Sequence, residues 1–385
     1  MIFRKTSYVL LGICMLFLFG CGPKVMSPKA ALDTPEHHVK NGHTLLDAGK
    51  IDAAGREFVR AIELGPKHAP AHTGLGLVYG HRDDFIRGLK SMATARDYAK
   101  ATEEKVAVNI GYIRLYTMGQ GSIAKNWLVL SEREFKAASK TAADLPGPHY
   151  YMGLAYKAAY RFNTAIERFA RVLSLDKGYV SEADRQYALL QKIQRAMPGS
   201  SVGKHLALVE ETTRADVAAL FIQELNIEKW LKKSQQEPTD TSFESPDNTF
   251  VTSVTIKVSP ATDIGNSPLK ADIDAVIAMG IKGLQPYPDH TFKPEKPLTR
   301  AEFAMMMEDI LIRVTGVEQL ATRFIGTQSP FPDLRNDLPF FNAVMTCTTR
   351  GMMVVKDLVT GVFDPMGPVS GAEAVLGIRT LKTQF

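Results

Sequence analysis

Two periodicities divide the chain. The stretch "NGHTLLDAGKIDAAGREFVRAIELGP" sets small residues against large ones in a fixed rhythm: Gly42, Leu45, Ala54, Phe58, Ala61 and Pro66. Small residues at 42 and 54 let two antiparallel helices approach, Phe58 fills the gap, and Pro66 ends the second helix. The unit returns 34 residues later as Leu75, Gly76, Tyr79 and Ala95, and again as Gly153, Tyr156, Ala165 and Phe169. Gly42 and Gly153 lie 111 residues apart, nine more than three periods, so an insertion is expected between them, at "YTMGQGSIAKNW" (Tyr116–Trp127). The spacing predicts about four helix pairs over residues 35–198.

The C-terminal half repeats with a different unit. At an offset of 71, Gly351 falls on Gly280, Phe363 on Phe292, Pro365 on Pro294, Ser370 on Thr299, Ala372 on Ala301 and Glu373 on Glu302. Each copy reads as an aspartate-led entry (Asp263, Asp333), an amphipathic helix (Leu269–Met279; Leu338–Thr348), a Gly/Pro/Asp loop and a second helix. An earlier second helix begins at Thr213, 86 residues before Thr299, behind a degenerate first half within "ADRQYALLQKIQRAMPG". The expected division is a first copy over 199–233, a polar, proline-containing flexible insertion over 234–258, a second copy over 259–316 and a divergent third over 329–385.

The first half resembles a tetratricopeptide-repeat (TPR) array, a type that stacks helix pairs into a curved α-solenoid. The second resembles S-layer homology repeats, carried by "AMGIKG", "YPDHTFKPEKPLTRAEF" and "TRADVAALFIQEL", with "GVFDPMGPVSGAEAV" the divergent copy. The expected fold is therefore mainly α: a TPR-type solenoid, then a helical, pseudo-threefold domain with loop-rich connections. The resemblance implies ligand grooves between lobes and non-covalent attachment to a cell-wall glycan, either peptidoglycan or an anionic wall polysaccharide. It implies a protein or peptide in the concave face of the solenoid, with a plain spacer as the alternative.

The three second helices open alike. Thr213 with Asp216, Thr299 with Glu302 and Ser370 with Glu373 form the capping-box pattern, which gives these residues a sufficient structural task. The next position is Arg214, Arg300 and then Gly371. A cation in the first turn opposes the helix dipole, so its presence twice points to an anionic partner gripped together with the helix donors. The competing reading pairs each arginine with an acid of a neighbouring lobe. Candidate wall-polymer residues are Arg214, Arg300, Thr213, Thr299, Tyr287, which could stack on a sugar, and Asp289, whose competing role is a turn. The third lobe, lacking the arginine, is expected to be structural.

The amino end adds a location. Arg4 and Lys5 precede an apolar run from Tyr8 to Phe19, too short to span a bilayer comfortably and suited to a secretory signal over residues 1–20. The run ends in Leu18-Phe19-Gly20-Cys21, which resembles a bacterial lipobox, with Cys21 the acylated residue and 21–34 a tether. Gly22 rather than aspartate implies the outer membrane, facing the periplasm, with the lipid as membrane anchor. A plain signal peptide or anchor with an incidental cysteine is the alternative. Without the signal, Cys347 is left alone, read as a buried apolar residue rather than a nucleophile. Formal charge is +5, or +3 after removal of the signal, with no long basic run, which argues against nucleic acid. No catalytic constellation, metal site or cofactor motif stands out, so the expected function is non-enzymatic. A protein–protein adaptor without glycan binding remains the rival reading.

Overall fold

The computed structural model describes residues 26–28, 30–234 and 261–385. The expected signal segment, Cys21 and residues 235–258 of the expected insertion lie outside them. Among the described residues the protein forms α-helices joined by turns, with no strand. None of these helices is long and apolar enough to cross a membrane. The protein divides into two units, one up to Tyr187 and one from Ala188.

The first unit contains α1 (Pro35–Asp47), α2 (Ile51–Leu64), α3 (Ala69–His81), α4 (Phe85–Tyr98), α5 (Thr102–Gly119), α6 (Trp127–Thr141), α7 (Pro146–Ala158), α8 (Phe162–Leu175) and the start of α9 (Val180–Ala196). Local signals set several starts. Thr34 caps α1, accepting from the His37 N–H at 3.3 Å, and Pro35 supplies a pre-set φ. Asp84 accepts from the Arg87 N–H at 3.1 Å ahead of α4. Glu104 receives the backbone N–H of Lys100 at 2.8 Å and of Ala101 at 3.0 Å, opening α5.

Packing follows the small-against-large rhythm. Phe58 is fully buried between α1 and α3: a Cβ built on Gly42 would stand 2.7 Å from its ring, and one on Gly74 2.1 Å. Phe169 fills the same position against Gly153, at 2.8 Å. The surplus residues of the third pair fall where the sequence put them. Helix α5 has 18 residues against 13 in α1 and α3, and the connection 120–126 is longer than 48–50 or 82–84. α1, α3, α5 and α7 each pack on their own partner, and α1, α3 and α5 also on the next first helix, whereas among the described residues the second helices touch no other second helix extensively. The first helices therefore line the tighter, inner side of the stack.

The second unit holds the rest of α9, α10 (Ser201–Leu206), α11 (Arg214–Leu220), α12 (Ile227–Ser234), α13 (Lys270–Ala278), α14 (Arg300–Thr315), α15 (Phe341–Thr349) and α16 (Gly371–Lys382). Helices α11, α14 and α16 are the three repeated second helices. Their apolar faces meet in one core, where Phe221 and Phe303 stack with centroids 6.3 Å apart. Cys347 belongs to that core, fully buried, its thiol donating to the Ala304 carbonyl at 3.5 Å. Burial pushes its pKa up, so no reactive thiolate forms there.

Replacing Gly74 by Ala drives a methyl into a ring that Gly42 already confines from the other side. We expect a loss of about 2 kcal/mol in the stability of the first unit. Urea unfolding followed at Trp127, in a Trp230→Phe background, measures it.

Candidate functional site

The three repeated helix starts meet in a closed ring of backbone hydrogen bonds. The residue just before each cap donates to its counterpart in another lobe: Thr212 N–H to Val369 C=O at 2.8 Å, Val369 N–H to Leu298 C=O at 3.2 Å, and Leu298 N–H to Thr212 C=O at 2.9 Å. The following amides continue the pattern. Arg214 and Ala215 donate to the carbonyls of Lys296 (3.0 Å) and Pro294 (3.1 Å) of the second lobe. Arg300 and Ala301 donate to Gly367 (2.9 Å) and Pro365 (2.9 Å) of the third, and Gly371 to Val209 (2.8 Å) of the first. A third amide is satisfied within each helix: Thr213 and Thr299 accept from Asp216 and Glu302, both at 3.2 Å, and Ser370 from Glu373 at 3.3 Å. The helix donors expected to help grip an anion are thus consumed by the next lobe, because a buried helix start needs acceptors for its orphan N–H groups. The hydroxyls of Thr213 and Thr299 donate back to the same carboxylates at 2.9 and 3.1 Å, and act as caps.

The arginine side chains extend this interlock. Arg214 reaches into the loop of the second lobe, donating to the carbonyls of Phe292 (2.7 Å), Gly283 (2.5 Å) and Gln285 (3.0 Å). Its guanidinium lies 4.6 Å from the ring centroid of Phe292 and 4.8 Å from that of Tyr287. Arg300 repeats the contact one lobe on, with the carbonyls of Phe363 (2.7 Å) and Val354 (2.5 Å), the Phe363 ring at 4.4 Å and, in addition, the carboxylate of Glu373. For Arg300 the competing reading holds rather than an external anion: it is 1% exposed and ion-paired with an acid across the seam between the second and third lobes. Burial lowers its pKa to about 10, opposed by Asp364 and Asp333, so it stays charged at neutral pH. Arg214 is 4% exposed and has no carboxylate among its hydrogen-bond partners. Burial pushes its pKa below the usual value.

Gly371 has a steric reason. A Cβ there would lie 1.6 Å from the Leu206 carbonyl oxygen, so the end of α10 closes directly on the helix start and leaves no room for an arginine. The loops themselves are held by the entry aspartates. Asp263 accepts the N–H of Phe292 (2.7 Å) and Lys293 (2.8 Å), and Asp333 accepts those of Phe363 (3.0 Å) and Asp364 (2.7 Å).

A cavity of about 370 Å³ opens beside Arg214, lined among others by Lys282, Tyr287, Glu302, Met305 and Met306. Two further cations stand by the Tyr287 ring: Lys293 Nζ is 4.7 Å from its centroid and Lys296 Nζ 5.8 Å, the latter also donating to the Tyr287 hydroxyl at 3.2 Å. Lys296 is paired with Glu302 at 2.9 Å. Asp289 stands apart from this cavity. Its carboxylate accepts the N–H and hydroxyl of Thr291 at 3.0 and 2.6 Å, the turn role weighed against ligand contact. The structure thus gathers Arg214 and Tyr287 in one place and leaves Arg300, Asp289 and the two threonines outside it. Lys282, Lys293, Lys296 and the methionines were missed from sequence, although the offset of 71 carries the signal. In the third lobe Lys282, Tyr287, Lys293 and Lys296 become Met353, Leu358, Asp364 and Gly367.

The S-layer homology domain family matches residues 262–304, which span the first helix, loop and helix start of the second lobe. A solved structure, a thermophilic TPR protein of Thermus thermophilus, aligns with 49% of this protein and 91% of its own length at 19% identity, with a TM-score of 0.35. No curated protein matches in sequence.

Arg300→Met strands Glu373 as a buried, unpaired carboxylate and should cost about 3–5 kcal/mol, whereas Arg214→Met should cost about 1–3 kcal/mol because only carbonyls lose partners. Arg300→Met/Glu373→Leu should recover part of the loss. Urea unfolding read at Trp230, in a Trp127→Phe background, ranks the three.

Proposed function

We propose that the protein is a non-enzymatic, lipid-anchored envelope protein that holds an anionic wall polymer in the seam between its first and second lobes and a protein partner on the inner face of its solenoid. The carrying observation is the cavity lined by Tyr287, Arg214 and Lys282, with Glu302 as its one lining carboxylate, and with Lys293 and Lys296 close to the Tyr287 ring. Sugar rings offer C–H faces to aromatics, and their carboxylate or phosphate substituents are attracted by ammonium and guanidinium groups. Arg214 hydrogen-bonds carbonyls alone and lines the cavity together with Glu302, whose carboxylate is paired with Lys296. Lipid attachment at Cys21 and an outer-membrane position rest on the lipobox-like sequence.

One observation favours the adaptor reading for the seam between the second and third lobes. There Arg300 is neutralised by Glu373, and Leu358, which takes the place of Tyr287, is 87% exposed beside Val359 at 95%. We assign glycan binding to the first seam alone.

Cosedimentation with purified sacculi tests the assignment. Tyr287→Ala and the double change Lys282→Gln/Lys293→Gln should each weaken retention at least ~10-fold, about 1.4 kcal/mol, with unchanged unfolding midpoints. Rising salt should weaken the wild type further. Undiminished retention of both variants removes this seam as the site, and no retention of the wild type leaves only the adaptor.

A further inference from the structure

The chain enters the solenoid through a knot of charge. Three residues ahead of α1 are bonded to α2. The Met26 N–H donates to the Glu63 carbonyl at 2.9 Å, and Arg60 donates to the Ser27 carbonyl at 3.5 Å. Arg60 also grips the Asp33 carboxylate with two nitrogens, through Nε at 3.0 Å and through Nη2, and reaches Glu63 Oε2 at 3.1 Å. His38 of α1 stands beside this pair. Its Nδ1 lies 2.7 Å from Glu57 Oε2 on α2, and its Nε2 lies 2.9 Å from Asp33 Oδ1.

A neutral imidazole carries one N–H, so carboxylates at both ring nitrogens are satisfied together only by the imidazolium. Partial burial of His38 works against charging it, but the hydrogen bonds and charges of Glu57 and Asp33 outweigh that effect and raise its pKa above the ordinary 6.5. Asp33 and Glu63 push Arg60 further up, so the guanidinium stays charged throughout. The other titratable groups nearby are His37, edge-on to His38 at 5.8 Å and bonded to Asn41 at 3.0 Å, and the pair Glu36–His68 at 3.9 Å, just ahead of α3. With His38 charged, two cations face Asp33, Glu57 and Glu63. With His38 neutral, Arg60 alone faces the three carboxylates, and one ring nitrogen turns a lone pair towards an oxygen. The added hold is therefore complete below pH 6.5 and is lost as pH rises through the raised value of His38.

We propose that this cluster is a pH-operated clasp: the His38 imidazolium keeps the described residues ahead of α1 (26–28 and 30–34) bound to α2, and the neutral ring loosens them. Positions 26–34 number nine residues, so full release would add a reach of about 30 Å ahead of α1. In an anchored envelope protein that stretch sets how far the solenoid stands from its anchor, and this use of the clasp rests on the anchored reading. The clasp itself does not.

Hydrogen exchange of the full-length protein read by mass spectrometry, corrected for the intrinsic pH dependence of exchange, tests it beside an NMR titration of the histidines. Protection of peptides covering 26–34 should fall at least ~5-fold from about pH 5 to about pH 8.5, with a midpoint matching that of His38. His38→Gln should exchange at both ends of this range as the wild type does at the upper end. Glu57→Gln removes the need for a second ring proton; it should lower the His38 midpoint and flatten the response, and it keeps the test open if His38→Gln unfolds. A flat wild-type response overturns the clasp, as does a His38 midpoint at or below 6.5 or a response that persists in His38→Gln. So does a response confined to α2, which would mean that Glu57 alone lets go. Each of these results leaves the lipid anchor and the glycan seam as they stand.

Discussion

The first amides of a helix have no acceptors within it, and when that start is buried something else must supply them. In the second unit each lobe supplies them to the previous one. Two carbonyls of the second lobe and two of the third take the leading amides of α11 and α14, and Val209 of the first lobe takes that of α16. The ring through Thr212, Leu298 and Val369 closes the arrangement on itself. The buried arginines, the entry aspartates and the glycine at 371 all serve this one requirement, since each brings or keeps a loop within reach of a helix start.

The two units satisfy their backbones by different means. In the solenoid every helix contains its own hydrogen bonds and meets its neighbours through side chains, with Phe58 and Phe169 each closing against glycine. A stack of this kind exposes a continuous inner face, because nothing has to return to the start. The lobes spend their polar backbone on each other, and the space left for a ligand is what the seams do not fill. That is why the first seam keeps a cavity beside Tyr287 while Arg300 and Glu373 occupy the second.

Helix pairing, the insertion in the third pair and the register of the lobe repeat could all be read from the sequence, because side chains at fixed spacing carry them. The meaning of the arginines could not. A cation at a helix start was read as wanting an anionic partner, but the hydrogen-bond partners of Arg214 are main-chain carbonyls, which leave no mark on the residue letters. Glu373 was read as the acid of a capping box, but its carboxylate does not return to the Ser370 amide; it pairs instead with Arg300, 73 residues away in the neighbouring lobe. Gly371 looked like lost charge and is instead a clearance of 1.6 Å. Lys293 and Lys296 were legible only as loop charges until Tyr287 was seen between them.

Closure of the lobes has a mechanical side. Each lobe touches both others at the axis, so pulling one away means parting two junctions together rather than one after the other. A load carried into this unit through either of its ends is therefore shared between junctions in parallel, whereas the stacked pairs of the solenoid can yield one at a time. Under tension the solenoid would lengthen first, and the trefoil would be the last to give way.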